Sequence, residues 1–79
     1  MLSDILARHR GPYRFVVYRP GKRVGCSRSE TLAGFVEPED VGSEALALLT
    51  DPRDTIESVS VWSDRDEQFV TLIRGEKDL

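Results

Sequence analysis

The stretch Thr55–Gly75 constrains the fold most, because it holds the densest apolar and β-branched content of the chain. It consists of two runs, Ile56–Ser63 and Phe69–Ile73, on either side of the charged segment Asp64–Glu67. Valine, isoleucine, threonine and aromatic residues fit a pleated surface, so both runs are predicted to be strands. The charged connector has no Asn-Gly signal, which predicts a hairpin with a longer loop instead of a two-residue turn.

Alternation along the first run predicts which of its side chains face the core. Val59 and Val61 are expected on the buried face, whereas Ser58 and Ser60 are expected to face water. Trp62 is expected to fold over the rim of the open face, either as a core-edge residue or as the anchor of an interface.

The second run is apolar on both sides, which predicts a strand that is central in its sheet or covered by a helix. Alternation places its side chains in two sets. One set is Phe69, Thr71 and Ile73, and the other is Val70 and Leu72.

Upstream, the pattern predicts a short helix and a first hairpin. The helix is expected to carry Arg8, His9 and Arg10 in its last turn and to stop at Gly11-Pro12. A strand over Tyr13–Arg19, a turn at Pro20-Gly21 and a returning strand over Arg23–Ser29 follow. Along the first strand, Tyr13, Phe15 and Val17 point one way and Arg14, Val16 and Tyr18 point the other, and in the returning strand Val24 and Cys26 are expected to be buried or half-buried.

The middle of the chain predicts the main helix. Thr31–Glu37 is either a third strand or a covered loop, because Gly34 interrupts its apolar residues. The helix begins at Pro38, or else Ser43 caps a shorter one, and Asp51-Pro52 ends it. Its inward stripe is Val41, Ala45, Leu48 and Leu49.

This order of elements predicts an α+β fold in a single domain, residues 1–79. We expect a small antiparallel sheet of four to five strands, one main helix packed on one face and a short N-terminal helix. No apolar run approaches the length of a membrane span, and the first residues lack the features of a signal peptide. A single cysteine excludes an internal disulfide, so the expected location is the cytoplasm.

Charge is distributed unevenly along the chain. Residues 1–28 contain seven basic residues and one acidic residue, a net charge of +6, whereas residues 29–79 contain four basic and thirteen acidic residues, a net charge of −9. This asymmetry indicates an electrostatic partner, unless the two parts pack side by side and neutralise each other.

Two interpretations of the charge lead to different partners. Spaced carboxylates on a rigid surface can imitate phosphates and occupy a basic nucleic-acid channel of a protein. The residues assigned to this role are Glu37, Glu39, Asp40, Glu44, Asp64, Asp66 and Glu67, with Trp62 beside them. The converse interpretation places a basic N-terminal hairpin on nucleic-acid phosphates, although the net acidity and the lack of an aromatic RNA-reading motif oppose it. Its residues are Arg14, Arg19, Lys22, Arg23 and Arg28.

The sequence offers little catalytic or metal-binding chemistry. Cys26 and His9 could form a nucleophile and its base, but no third residue supports the pair, and a lone cysteine in a strand is usually a small core side chain. The stretch Asp64–Gly75 begins like a calcium loop, yet it lacks the glycine at the sixth position and ends on glycine where the bidentate glutamate belongs. We therefore predict no catalytic residues, no metal and no cofactor.

In size, net acidity and helix-on-sheet plan, the chain resembles the small phage-encoded anti-CRISPR proteins. That resemblance implies binding to a Cas subunit and a block of DNA recognition, which several members achieve by presenting carboxylates where DNA would lie. The stretch Arg23–Leu32 also resembles the hairpin-to-helix passage of HicB-type antitoxins. Both resemblances imply a stoichiometric inhibitor, not an enzyme.

The sequence thus leads to one preferred function. We expect a non-enzymatic inhibitor that binds the nucleic-acid-recognition surface of a larger protein complex through acidic residues. The alternative is a nucleic-acid-binding or antitoxin-type module that uses the basic hairpin. The oligomeric state is left open between monomer and homodimer, and a phage-encoded protein of this kind would act in the host cytosol.

Overall fold

The computed structural model describes residues 2–8, 11–21 and 27–75. The elements in chain order are α1 (Leu2–Arg8), β1 (Tyr13–Pro20), β2 (Ser27–Thr31), a one-turn 3-10 helix (Pro38–Asp40), α2 (Val41–Thr50), β3 (Ser58–Ser63) and β4 (Gln68–Ile73). The predicted α+β fold is confirmed, with the main helix beginning at Pro38 and ending before Asp51-Pro52. Predictions about His9, Arg10, Lys22, Arg23, Val24 and Cys26 fall outside the described residues.

The four strands form one antiparallel sheet in the order β2-β1-β3-β4. β1 is central and pairs with both β2 and β3, so that Tyr18 lies opposite Ser29 on one side and Ser58 on the other. β4 occupies an outer position of this sheet and contacts α1. Neither expectation for β4 holds in full, because the strand is not central and, although α1 contacts it, Phe69 and Leu72 remain 55% and 40% exposed. The predicted longer loop between β3 and β4 is confirmed as the turn Asp64–Glu67.

The hydrophobic core lies between one face of the sheet, here called the inner face, and α2. Burial of valine- or leucine-sized side chains contributes about 1.5–3 kcal/mol each, so this layer supplies most of the stability. The buried core residues are Tyr13, Phe15, Val17, Val36, Val41, Ala45, Ile56, Val59, Val61 and Ile73. Leu6 of α1 and Leu48 and Leu49 of α2 pack against them. The predicted inward stripe of the helix is confirmed, and of the two predicted sets of β1 side chains Tyr13, Phe15 and Val17 are the buried one.

The opposite, outer face of the sheet departs from the sequence expectation. Ser58 and Ser60 were expected to face water, but only 8% and 7% of their surfaces are exposed. The prediction is wrong because β3 is a central strand, and larger side chains on both neighbouring strands stand beside the short serines. The register places Tyr18 opposite Ser58 and Leu72 opposite Ser60.

A β-bulge between β3 and β4 also changes which face Phe69 occupies. Val61 lies opposite Thr71 and Trp62 lies opposite Phe69, which leaves Val70 as the extra residue. Phe69 therefore shares the outer face with Trp62, and its predicted grouping with Thr71 is wrong. The rings of Trp62 and Phe69 confirm this placement, because they meet edge to face with centroids 4.9 Å apart.

The segment between β2 and the 3-10 helix is an interrupted continuation of β2. The Leu32 N–H donates to the Phe15 carbonyl at 2.9 Å, and the chain then bends at Gly34, whose φ is +91°. Val36 and Tyr13 exchange two backbone hydrogen bonds of 3.1 and 2.7 Å. The segment thus combines features of the two alternatives, a strand bridge and a loop.

Candidate functional site

Two acidic segments converge at one end of the sheet. Tyr13 lies between Val36 and Ser63, its partners on either side. Glu37 and Asp64 directly follow those partners, so they emerge side by side, separated by two strand spacings or about 10 Å. The Asp64 N–H donates to the Pro12 carbonyl at 3.1 Å, which ties the turn to the start of β1. We call this surface the acidic end; it consists of Glu37, Glu39, Asp40, Asp64, Asp66 and Glu67.

Glu44 extends the acidic end along α2, because it lies one helical turn after Asp40. Both side chains are exposed. Among the described residues, no cation forms an ion pair with five of the seven predicted carboxylates. These five are Glu37, Glu39, Asp40, Glu44 and Glu67.

Asp64, a member of the acidic end, contacts an arginine of β1. Its Oδ1 atom lies 3.3 Å from Nε of Arg14, but that N–H has no directed hydrogen bond, so the contact is an ion pair only. The Arg14 guanidinium carbon also lies 4.6 Å from the ring centroid of Phe35, a cation–π contact. The turn is further held by the Asp66 N–H, which donates to Oγ of Ser63 at 3.1 Å.

Three basic residues of the alternative interpretation, Arg14, Arg19 and Arg28, are described, and Arg19 lies opposite Arg28 on the neighbouring strand. Arg19 donates hydrogen bonds to Asp54 and Glu30, and these carboxylates raise the pKa of its guanidinium. Arg28 is exposed on β2. Two of the predicted phosphate-binding arginines, Arg14 and Arg19, therefore already contact carboxylates within the chain.

An apolar groove opens beside the acidic end, between α2 and the segment after β2. We call it the helix groove; its volume is about 470 Å³. Small side chains, Ala33 and Ala47, line it next to the larger Phe35 and Leu48. Glu44 also lines it, so one residue belongs to both the acidic surface and the groove. The sequence did not reveal this groove, because Phe35 lies in a segment without helical or strand periodicity.

A second depression, of about 430 Å³, lies on the outer face of the sheet. Ser58 and Ser60 lie among the lining residues Tyr18, Phe69 and Leu72. Neither serine hydroxyl forms a hydrogen bond with another described residue. Among the described residues, no carboxylate and no basic side chain lines this depression, which distinguishes it from the helix groove.

Trp62, the predicted interface anchor, is half-buried on the outer face. Its ring contacts Phe69, and its strand leads directly into the turn that carries Asp64. The structure therefore places Trp62 beside the acidic end but on a different face from the helix groove.

Within the described ranges, no three His, Cys, Asp or Glu side chains are grouped in a way that could hold a metal ion. In that same part of the chain, every helix is too short or too polar to cross a membrane. Comparison with models of protein families, with characterised proteins and with solved structures finds no match to this chain. Its function is therefore inferred from the geometry of these residues.

Proposed function

We propose that this chain is a non-enzymatic inhibitor that binds the basic, nucleic-acid-recognising surface of a larger protein complex. The acidic end and Glu44 would occupy that surface and exclude the nucleic acid. A Cas complex is the preferred partner class, by the resemblance to anti-CRISPR proteins. One observation carries the proposal: four exposed carboxylates of the acidic end, together with Glu44 beside it on α2, form no ion pair with a described cation.

The support beneath these carboxylates suits the proposed role. Glu37 and Asp64 directly follow Val36 and Ser63, the two pairing partners of the fully buried Tyr13, so the backbone that carries them is held by the core. A preorganised array of like charges raises the association rate with a basic surface and orients the partner. It also loses less side-chain and backbone freedom on binding than a flexible acidic tail would.

The partner can be found with the full chain as bait, by affinity purification and mass spectrometry. The recovered complex is then tested for nucleic-acid binding in a mobility-shift assay with increasing amounts of the chain. The proposal expects loss of the shifted band at a one-to-one ratio. A triple reversal, Glu39→Lys, Asp40→Lys and Glu44→Lys, is expected to weaken inhibition about tenfold or more, because each replaces an attraction by a repulsion.

Single reversals provide a matched comparison. Glu39→Lys and Glu57→Lys change the net charge equally, and both glutamates are exposed, but Glu57 precedes β3, away from the acidic end. Only Glu39→Lys should weaken inhibition and reduce its salt dependence. Undiminished inhibition by the triple variant would rule out the acidic mechanism.

A second candidate is a nucleic-acid-binding or antitoxin-type module that uses the basic hairpin. It is favoured by Arg28, which is exposed and has no ion-pair partner among the described residues. This candidate expects affinity for DNA or RNA that falls steeply with salt. An unchanged mobility in a low-salt titration with duplex and single-stranded probes would eliminate it.

A further inference from the structure

We propose that the helix groove receives an apolar side chain from the partner, and that lysine or arginine residues flank this side chain. The inference rests on the proposed function and deepens it, because it adds an apolar anchor to an interface otherwise described by charge alone. The occupant is thus a basic protein segment that carries a large aliphatic or aromatic residue.

The shape of the groove supports an apolar anchor. Ala33 and Ala47 leave space between α2 and the preceding segment, and Leu48 and Phe35 supply apolar walls. Phe35 is 55% exposed, although a phenylalanine gains most when it is removed from water. Apolar pockets lined by an aromatic residue are typical places for the few side chains that dominate binding energy.

The charges of the groove determine the chemistry around that anchor. Glu44 lines the groove and has no ion-pair partner among the described residues. Asp51 lines it too, and its partner is Arg53, whose side chain is 89% exposed. Such surface pairs contribute little and exchange readily, so both carboxylates can attract incoming cations. The Arg14 guanidinium lies over the Phe35 ring but is paired with Asp64, so the two carboxylates of the lining leave the groove negative on balance and disfavour phosphates or acidic peptides.

The outer sheet face does not select the same occupant. Its depression is lined by apolar and hydroxyl side chains, with no carboxylate among the lining residues that the structure describes. It serves as an internal comparison, because Phe69 there is 55% exposed, the same fraction as Phe35.

The experiment is a titration of the isotope-labelled full chain with three synthetic peptides, followed by NMR. The peptides are Arg-Lys-Phe-Lys-Arg, Arg-Lys-Ser-Lys-Arg and Glu-Asp-Phe-Asp-Glu. The first should shift the backbone amides of Ala33, Gly34 and Ala47, with at least fivefold higher affinity than the serine peptide. The acidic peptide should leave these amides unchanged.

Two pairs of variants locate the binding. Ala47→Phe fills the groove from an exposed helix position and should abolish the shifts, whereas Ala7→Phe on exposed α1 should not. Phe35→Ser should weaken binding and Phe69→Ser should leave it unchanged. Far-ultraviolet circular dichroism of each variant confirms that it is folded before the titration.

Several results would overturn the inference. Shifts centred on Phe69 and Leu72, binding that survives Ala47→Phe, or no binding of the phenylalanine peptide each contradict it. If the serine peptide binds with the same affinity as the phenylalanine peptide, the proposal of an apolar anchor in the helix groove is wrong, whereas the proposed charge-based inhibition is not contradicted. Conversely, groove binding combined with undiminished inhibition by the triple charge reversal would contradict the proposed function alone.

Discussion

The guanidinium of Arg19 binds the carboxylate of Asp54 in a two-pronged arrangement. Its Nε donates to Oδ1 at 3.0 Å and its Nη2 donates to Oδ2 at 2.9 Å. These hydrogen bonds connect β1 to the loop between α2 and β3, and they lower the pKa of Asp54. The Glu57 N–H, which donates to the Tyr18 carbonyl at 2.7 Å, fastens the same loop three residues later.

Asp54→Asn is expected to destabilise the fold near neutral pH and to weaken its acid dependence. Because the hydrogen bonds from Arg19 hold the pKa of Asp54 below its ordinary value of 3.8, the pair stabilises the fold above that value. The contribution disappears as the pH falls through the lowered pKa. The urea midpoints of variant and parent should therefore converge in acid. Asp51→Asn, at the exposed pair with Arg53, is the control. If the urea midpoints of Asp54→Asn and the parent differ by the same amount at every pH, the stabilising role of the Arg19–Asp54 pair is contradicted.

Tyr13→Phe is expected to lower stability at neutral pH by about 1 kcal/mol, the usual net value of one hydrogen bond. The Tyr13 hydroxyl donates to the Leu6 carbonyl at 3.2 Å. Burial and then the nearby charge of Asp66 raise the pKa of Tyr13 above 10.0. Its stabilising effect is thus complete below that value and is lost as the pH rises through the raised pKa.

The measurement for Tyr13 is urea unfolding between pH 7 and pH 11. The parent protein should lose stability over the alkaline part of this range more steeply than Tyr13→Phe does. Tyr18→Phe, on the half-exposed outer face, serves as the control and should follow the parent. Identical alkaline slopes for the parent and Tyr13→Phe would show that Tyr13 is not the group responsible.

Ile73→Ala is expected to cost about 2–5 kcal/mol, because it leaves a cavity in the core. Its neighbour Leu72 points to the outer face and is 40% exposed, whereas Ile73 is fully buried. Leu72→Ala should therefore cost clearly less, although the two substitutions are adjacent and chemically similar. Chemical denaturation of both variants measures the difference in stability. Comparable losses would contradict the placement of Ile73 in the core and of Leu72 on the outer face.

Gly34→Ala is expected to destabilise the fold by roughly 1–2 kcal/mol, the cost of a left-handed backbone for a residue with a side chain. Gly34 has a φ of +91°, and no atom lies within 4 Å of the position of an added Cβ, so backbone strain is the sole penalty. Gly75→Ala is the matched control, since it has the same free space without the positive φ. In thermal denaturation, Gly34→Ala should melt at a lower temperature than Gly75→Ala. Equal melting temperatures would contradict the predicted backbone strain at Gly34.

Much of the fold can be predicted from the sequence because its apolar residues recur with a clear period. Tyr13, Phe15 and Val17 alternate, and their strand buries that set. Pro38 and Pro52 bound the main helix, since proline opens a helix readily and disfavours helical geometry in the residue before it.

The errors on the outer face have a different physical origin. The burial of Ser60 depends on the size of Leu72 across the sheet, and pairing partners cannot be read from one strand alone. The face of the sheet on which Phe69 lies depends on a single extra residue, Val70, which reverses the alternation of side chains along β4. Both properties are set by strand register, and local patterns do not report register.

For the candidate site, the sequence identifies the carboxylates but not their arrangement. Glu37 and Asp64 are far apart in the chain, and only the pairing of Tyr13 with two different segments brings them together. The helix groove has no sequence signal, because it arises from the packing of α2 against an irregular segment.

The position of β1 in the sheet has a consequence for synthesis of the chain. Its first neighbour, β2, follows soon after it, but its other neighbour is made much later, and the pairing of Tyr13 with Ser63 closes a loop of 50 residues. Distant pairings form slowly because closing a long loop costs entropy. A nascent chain that has emerged only through Thr50 therefore exposes one unpaired edge of β1, where other chains can add. The arrival of β3 is the step that ends this vulnerability.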